Sequence, residues 1–523
     1  MARHIQTRWK ISGIVKTETP IHVGGMGGDA DTDLALAING RGKYYIPGTS
    51  LAGAFRGWMG RILDDDDLKK IWGDHENDKR GASFIIIDDA EIKDNPNIEI
   101  REGVGIDRHT GAAADKAKYS RAILPKGITF PLEITFDCQN GQEPNELWQL
   151  LQALGHGDIR IGAAKTRGLG KIKLDKLTIR KHQLGNAKGL FNSLLSQNLK
   201  VKWEEEIKPN LEPYRSPSQL SLEIGWQPKD PVMVKAEGDG IAVDILPLVS
   251  QVNSDVRFVI PGSSIKGVLR AHAERIVRTV CHKSTQDDFL KQVELELVNK
   301  LFGSAEKKKN KPVPKGNKQQ SQGNIGVLFV DDCYATLAMT AENWSAVENA
   351  AKTENEEFRD LKKTLGTALD TANGDNPFQT LQPAMHVAVD RWTGGAAEGM
   401  LYSVLEPIGV KWESIGIRLD LARLQKYGSN SELVKPAIAL LLLVLRDFAN
   451  RKIPIGYGTN RGMGTVAVTE MKLNSSPIDG LHDIENKQNI DANLLNLGDE
   501  LLRDLTIAWQ DWITQNSQNQ EAA

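Results

Sequence analysis

The sequence predicts an α+β fold that is built twice in tandem. Three observations carry this. Four sequence blocks recur in the same order, the segments around them switch between strand and helix periodicity, and 523 residues are too many for one ordinary core. The first block is YIPGTSLAGAFRGWMGRI (45–62), matched by VIPGSSIKGVLRAHAERI (259–276). The second pairs FIIIDDA (84–90) with VLFVDDC (327–333). The third pairs VGIDRHTGAAADKAKYS (104–120) with VAVDRWTGGAAEGMLYS (387–403). The fourth pairs IRIGAAKTRGLG (159–170) with IPIGYGTNRGMG (453–464).

Each element follows from local pattern. RWKISGIVKTETP (8–20) alternates apolar and polar residues and reads as a strand. In IPGSSIKGVLRAHAERIVRTV, Pro261 with Ser263 or Ser264 gives a helix start. Apolar positions 265, 268, 269, 276, 277 and 280 then keep one helical face. VLFVDD is a short apolar strand that ends in carboxylates, and KIKLDKLTIR (171–180) alternates again as a closing strand. AIALLLLVL (437–445) is too short to span a bilayer and reads as a buried helix. Each copy is therefore strand, helix, strands, helix, strand, which suits a ferredoxin-like fold.

The pattern divides the chain into a first domain at 1–182, a linker with a short helix at 183–216, a second domain at 217–474 and a C-terminal connector and helix at 475–523. The offset between copies grows from 214 residues at Pro47 and Pro261 to 294 at Arg167 and Arg461, so the second copy carries insertions. One is the Lys/Gln-rich stretch 304–323, expected to be a loop; the other lies around 336–382.

Composition narrows the function classes. Hydrophobic content of 40% and charged content of 25% are those of a soluble globular protein, and a net charge of −3 excludes a chain that is cationic throughout. A local basic excess does exist: eight Lys or Arg and one Asp fall between Arg160 and His182. Cys138, Cys281 and Cys333 form no CxxC pair, so neither a zinc ribbon nor a disulfide framework is implied. No signal pattern precedes the first strand, and a cytoplasmic protein without membrane contact is expected.

The glycine loops lack the lysine placement of a phosphate-binding nucleotide loop and the following helix of a dinucleotide site, so no small-molecule nucleotide is expected. Two readings remain: turn glycines that need positive φ, or a polyanion contact aided by Lys165, Arg167 and Arg461. An arginine kept in both copies favours the second. The IPG blocks place Ser50, Ser263 and Ser264 at helix starts with Arg56, Lys266 and Arg270 on the same helices; phosphate contact and plain capping both fit. The Asp-Arg-x-Thr-Gly segments read as hairpin tips, with Trp392 either a base-stacking platform or a core residue. Loops before the IPG blocks carry Asp29, Asp31 and Asp33 in one copy and Asp239 and Asp244 in the other, suited to a metal or a base. The DDDD run, Asp64–Asp67, reads as a solvated helix end.

Together, IPG-[ST]-S-[LI]-x-G-x-x-R, the Asp-Arg-x-Thr-Gly hairpin and the Arg-Gly-x-Gly loop resemble the RAMP-superfamily backbone subunits of type III CRISPR effector complexes. The two-copy chain is similar to the tandem backbone fusions of the type III-D group. The resemblance implies two modified ferredoxin-like (RRM-like) domains that bind a guide RNA beside other effector subunits. It implies thumb hairpins around Arg108 and Thr110, and around Arg391, Trp392 and Thr393, that wedge into the guide–target duplex. It also implies divalent-metal-dependent cleavage of target RNA, with Mg²⁺ or another divalent cation, at an aspartate in the loop after the first strand. That residue maps to Asp33 and Asp244, with Asp31 and Asp239 as fallbacks because the second loop has one extra residue before its proline. His22 reads as structural. A non-catalytic RNA-binding backbone and a guide-precursor processing ribonuclease are the competing readings.

Overall fold

A computed structural model describes all residues except 1–3, 26–31, 75–80, 94, 140–143, 196–198, 209–212, 285–287, 305–322, 353–357, 371–375, 427–432, 476–496 and 519–523. The Lys/Gln-rich insertion apart from its end residues Ser304 and Gly323, most of the polar connector, Asp29 and Asp31 lie outside the described residues. The chain separates into two units. One comprises Met1–Gly103, Tyr119–Lys165 and Leu169–Pro217; the other comprises Val104–Lys118, Thr166–Gly168 and Ser218–Ala523.

In the first unit, β1 (Thr7–Thr17) leads to α1 (Gly48–Met59), β2 (Ile85–Ile87), β3 (Thr129–Cys138), α2 (Asn145–His156) and β4 (Lys171–Gln183). The strands lie in the order β4–β1–β3–β2, each antiparallel to its neighbour. In the second unit, β5 (Gln219–Pro228), α3 (Gly262–Val280), β6 (Leu328–Val330), β7 (Ile415–Asp420), α4 (Val434–Ala449) and β8 (Val466–Ser475) repeat the scheme as β8–β5–β7–β6. The first strand of each copy thus pairs with the third and the last. That is the ferredoxin-like order, in which each helix crosses one face of the sheet.

The alternation read in 8–20 is the reason β1 has one buried face. Trp9, Ile11 and Val15 point inward at period two, and Trp9 meets Trp148 of α2 edge-on at 5.1 Å. Leu51, Phe55 and Trp58 bring the apolar stripe of α1 onto the same core. In the second unit Ile265, Leu269, Ala273 and Val277 of α3 do likewise, and α4 is buried on most sides. The C-terminal helix α5 (Asp499–Gln518) packs on α4 through Leu501, Leu505 and Trp512, with Lys435 and Asp504 paired at 2.9 Å. Asp64 caps the helix Asp65–Trp72 by accepting from the Asp67 N–H, so the acidic run lies where a helix N-terminus favours it.

The glycine of each IPG block is demanded by close packing. A Cβ on Gly48 would lie 2.2 Å from the Ile87 carbonyl oxygen, and one on Gly262 2.2 Å from that of Val330. The helix start is thereby pressed against the short strand that carries the Asp-Asp pair. No helix among the described residues is long and apolar enough to cross a membrane. All three cysteines are free; burial pushes the Cys333 thiol up to about 12.

Candidate functional site

The loop after β1 runs beside the returning strand of the first hairpin (Glu99–Ile106 with Ala113–Ile123), joined by a parallel bridge between Leu34 and Arg121. This places Asp33 against Ser120. The Asp33 carboxylate Oδ2 accepts from the Ser120 N–H at 2.8 Å and from its hydroxyl at 3.2 Å. The Asp33 N–H donates back to Ser120 Oγ at 3.0 Å. The second hairpin (Leu381–Val389 with Ala396–Pro407) repeats this without change of pattern. Ile245 bridges Val404, Asp244 Oδ2 accepts from the Ser403 N–H at 2.7 Å and its hydroxyl at 2.8 Å, and the Asp244 N–H donates to Ser403 Oγ at 3.0 Å.

Asp33 and Asp244 therefore occupy one position in two copies. Backbone pairing sets a register that the extra residue before Pro247 obscured in the sequence. Asp239 sits elsewhere in its loop, 68% exposed and 3.4 Å from Lys235. In each clamp the serine holds Oδ2; among the described residues Asp33 Oδ1 stays open, whereas Asp244 Oδ1 has the Lys352 ammonium 3.6 Å away. Burial pushes the Asp244 carboxyl upward, but the Ser403 N–H and hydroxyl, together with Lys352, outweigh it and hold the group below the usual carboxylate range. His22 is buried and bonded through Nδ1 to the Ala122 carbonyl at 2.7 Å; burial, against that bond, keeps its pKa below the ordinary value.

A second feature of the first unit is an open cleft of about 340 Å³, where Gly24, Thr49 and Ser50 face Gly162, Ala163 and Lys165. The IPG helix start and the glycine loop, far apart in sequence, thus line one groove. The helix ends are less free than the sequence suggested. The Gly48 N–H donates to Asp89 Oδ1 at 2.7 Å and the Gly262 N–H to Asp332 Oδ1 at 2.8 Å. The second carboxylate of each Asp-Asp pair caps the helix from within, which leaves anion contact here to hydroxyls and lysine rather than to the first N–H.

The glycine loops need their glycines for backbone reasons. Gly170 and Gly464 have φ of +92° and +90°, and a Cβ on either would lie 2.3 or 2.5 Å from the carbonyl oxygen of Ile161 or Ile455. The cations beside them are a separate matter. Lys165 and Arg167 are half-buried; Arg461 is exposed, donates to the Tyr402 hydroxyl and lies over the Tyr457 ring at 5.1 Å.

The cations on the IPG helices diverge from the surface role read for them. Ser263 is exposed, and Ser264 and Arg56 are half-buried. Lys266 is only 4% exposed, and its ammonium donates to the Leu328 carbonyl at 2.6 Å. Burial, reinforced by Arg167 and Arg270, takes its pKa well below the ordinary value. Arg270 donates to Glu274 Oε1 at 2.7 Å, to the Gly303 carbonyl at 2.7 Å and to Asn299 Oδ1 at 2.8 Å. Arg108 takes the other oxygen of Glu274, Oε2, at 2.7 Å. Glu274 is 2% exposed, so two arginines read as nucleic-acid contacts converge on one buried carboxylate. Nothing in the sequence flagged this, because the first copy has Gly60 where the second has Glu274.

The hairpin tips are shaped by their aspartates. Asp107 Oδ1 accepts from the N–H groups of His109 and Thr110 at 2.9 Å, and Asp390 Oδ1 from those of Trp392 and Thr393 at 3.0 and 2.7 Å. These bonds, the one from residue three ahead foremost, keep both carboxyls below the ordinary range. Thr110 and Thr393 add their hydroxyls to the same turns. Arg391 and Trp392 project outward; Trp392 is 96% exposed, which excludes the core reading and leaves a free aromatic face.

Among the described residues no three His, Cys, Asp or Glu side chains gather to hold a metal ion. Each aspartate instead offers one carboxylate oxygen that its serine does not hold. That donor set fits a hydrated Mg²⁺, which keeps most of its water and takes one carboxylate plus substrate phosphates; it does not fit a cage built by protein alone.

Comparison with known proteins agrees with the doubled architecture. A family model described as RAMP superfamily matches residues 14–173 and again 246–467. A curated relative, CRISPR system Cms endoribonuclease Csm3 of Methanocaldococcus jannaschii, is 25% identical over 193 residues, covering 31% of this chain and 77% of that protein. The twofold match, coinciding with two sheets of the same strand order, places this chain in the RAMP superfamily, with one RAMP region in each copy.

Proposed function

We propose that this chain is a guide-RNA-binding backbone subunit of a type III CRISPR effector complex and cleaves complementary target RNA at Asp33 and Asp244. The observation that carries the reading is the aspartate–serine clamp, built twice at the foot of a hairpin. The similarity to a CRISPR endoribonuclease supports it. In each clamp the carboxylate oxygen that the serine does not hold is the group that takes the proton from a ribose 2′-hydroxyl. The freed 2′-oxygen attacks the adjacent phosphorus as the bond to the 5′-oxygen breaks, and the departing 5′-oxygen takes a proton from water, leaving a 2′,3′-cyclic phosphate and a 5′-hydroxyl end. A bound divalent cation would offset negative charge on that phosphate. The serine holds the carboxylate in one rotamer, so orientation is prepared before the RNA arrives.

The test uses complexes assembled with guide RNA and supplied with complementary RNA and Mg²⁺. The wild type gives two cuts, and the Asp33→Ala/Asp244→Ala double variant gives none while binding the RNA equally well. An unchanged product ladder in the double variant removes the catalytic reading and leaves the structural one.

The groove of Ser50 and Lys165, with Arg167 and Arg461, is assigned to the guide backbone. Arg167→Ala or Arg461→Ala is expected to weaken RNA binding for all sequences alike and to reduce the salt slope by about 1. Filter binding across a salt series measures this; a loss confined to particular sequences contradicts phosphate contact.

A further inference from the structure

The two aspartates differ in one respect that comes from outside the repeated blocks. Asp331 and Asp390 are 59 residues apart, whereas their counterparts Asp88 and Asp107 are 19 apart. The surplus folds partly into helices Ala341–Glu348 and Arg359–Ala368. The first of these is firmly seated. Thr340 caps it by accepting from the Asn343 N–H at 3.1 Å, Trp344 meets Phe258 edge-on at 5.3 Å, and Val347 and Ala350 are buried. Its end also holds the aspartate loop, since the Ile241 N–H donates to the Glu348 carbonyl at 3.1 Å.

Two residues beyond Ala350 stands Lys352. Its ammonium lies 3.6 Å from Asp244 Oδ1, the oxygen that Ser403 leaves open. Among the described residues Asp33 has no such partner; its bonds are those with Ser120. The second copy has therefore brought a positive charge to the working oxygen of its aspartate, on a segment that the first copy lacks.

We propose that Lys352 is a built-in counter-ion that makes the second site bind a divalent cation more weakly than the first, so that the two cuts require different cation concentrations. This rests on reading Asp33 and Asp244 as the cleavage residues. A cation that approaches Asp244 Oδ1 must displace the ammonium or share the oxygen with it. Both side chains are partly solvated, 63% exposed for Lys352 and 42% for Asp244, so the competition is that of a surface ion pair. Such a pair is worth a factor of about two to five in cation affinity.

The test uses assembled complexes with guide RNA and a target carrying 2′-deoxyribose at both cut positions, so that binding is read without chemistry. Mn²⁺ binding is followed by electron paramagnetic resonance of the free ion. Lys352→Met is expected to tighten the Asp244-dependent Mn²⁺ site by about two- to fivefold, with Lys352→Arg like the wild type and Asp244→Ala removing the site. With cleavable target, Lys352→Met lowers the Mg²⁺ needed for half-maximal second cut by the same factor and leaves the first cut alone. Mn²⁺ affinity unchanged by Lys352→Met, or no Asp244-dependent Mn²⁺ site in either protein, overturns the proposal. A Lys352 effect on Mn²⁺ in complexes that cut nothing upholds the weakened cation site but removes the cleavage reading, and with it the difference between two cuts.

Discussion

Replacing Asp33 by alanine should erase one of the two cuts in a complementary RNA and leave the other at its wild-type rate, and Asp244→Ala should do the reverse. The affected cut is expected to slow by about 10²–10⁴-fold, the usual worth of a positioned general base. The selectivity follows from the clamps: each aspartate is held by the serine of its own hairpin, so no shared side chain couples the sites. Denaturing gels of end-labelled target read both rates at once. A single variant that slows both cuts equally points to lost assembly rather than lost chemistry.

The same geometry sets a pH dependence for the second cut. Ser403 contributes to holding the Asp244 carboxyl below its ordinary range. Ser403→Ala keeps the N–H bond and loses the hydroxyl, so the carboxyl pKa rises toward its ordinary value. The basic form is then lost at higher pH as pH falls, and the acid limb of the second cut's pH profile moves up. The first cut supplies the internal control, because Asp33 is held by Ser120 instead. A profile that does not move excludes the hydroxyl from tuning the base.

Glu274→Ala should destabilise the second unit by about 3–5 kcal/mol, the cost of breaking a buried ion pair from one side. Both carboxylate oxygens are engaged, one by Arg270 and one by Arg108, and the side chain is 2% exposed. Removing it leaves Arg270 with the Gly303 and Val293 carbonyls and Asn299, and strips Arg108 of its side-chain partner at that site. The measurement is the denaturant midpoint of the second unit's transition. Arg270→Ala should cost less than Glu274→Ala, since it leaves Glu274 still paired with Arg108. Equal or negligible losses in both variants would show that the cluster is solvated in solution.

How much of this was readable in the chain depends on whether the signal was local or repeated. The IPG blocks, the hairpin tips and the glycine loops each act within a few residues, and each occurs twice, so the repeat itself exposed them. The doubled ferredoxin-like order follows from them together with the period-two alternation of β1 and β4. The Tyr-Ser that ends the third block also recurs, in Ser120 and Ser403, and was a usable signal for the clamp. The second carboxylate of each Asp-Asp pair, Asp89 and Asp332, was likewise a usable signal for the bonds to the Gly48 and Gly262 N–H groups.

Other features had no such signal. Lys266, Arg270 and Arg108 carry charge on segments that suggested RNA contact, yet the fold turns them toward Leu328 and Glu274. A cationic side chain does not declare its direction, because helix periodicity fixes which residues share a face but not which face meets a buried acid. Lys352 is more remote still: it lies in an insertion with no counterpart, over 100 residues from the aspartate it reaches. By itself the sequence determined two copies of one fold, their turns and the pair of aspartate loops, since these rest on short-range pattern and repetition. Which aspartate of each loop is clamped, which cations face inward, and which of the two sites carries a lysine were decided only by long-range pairing, where backbone register brings distant residues within hydrogen-bond reach.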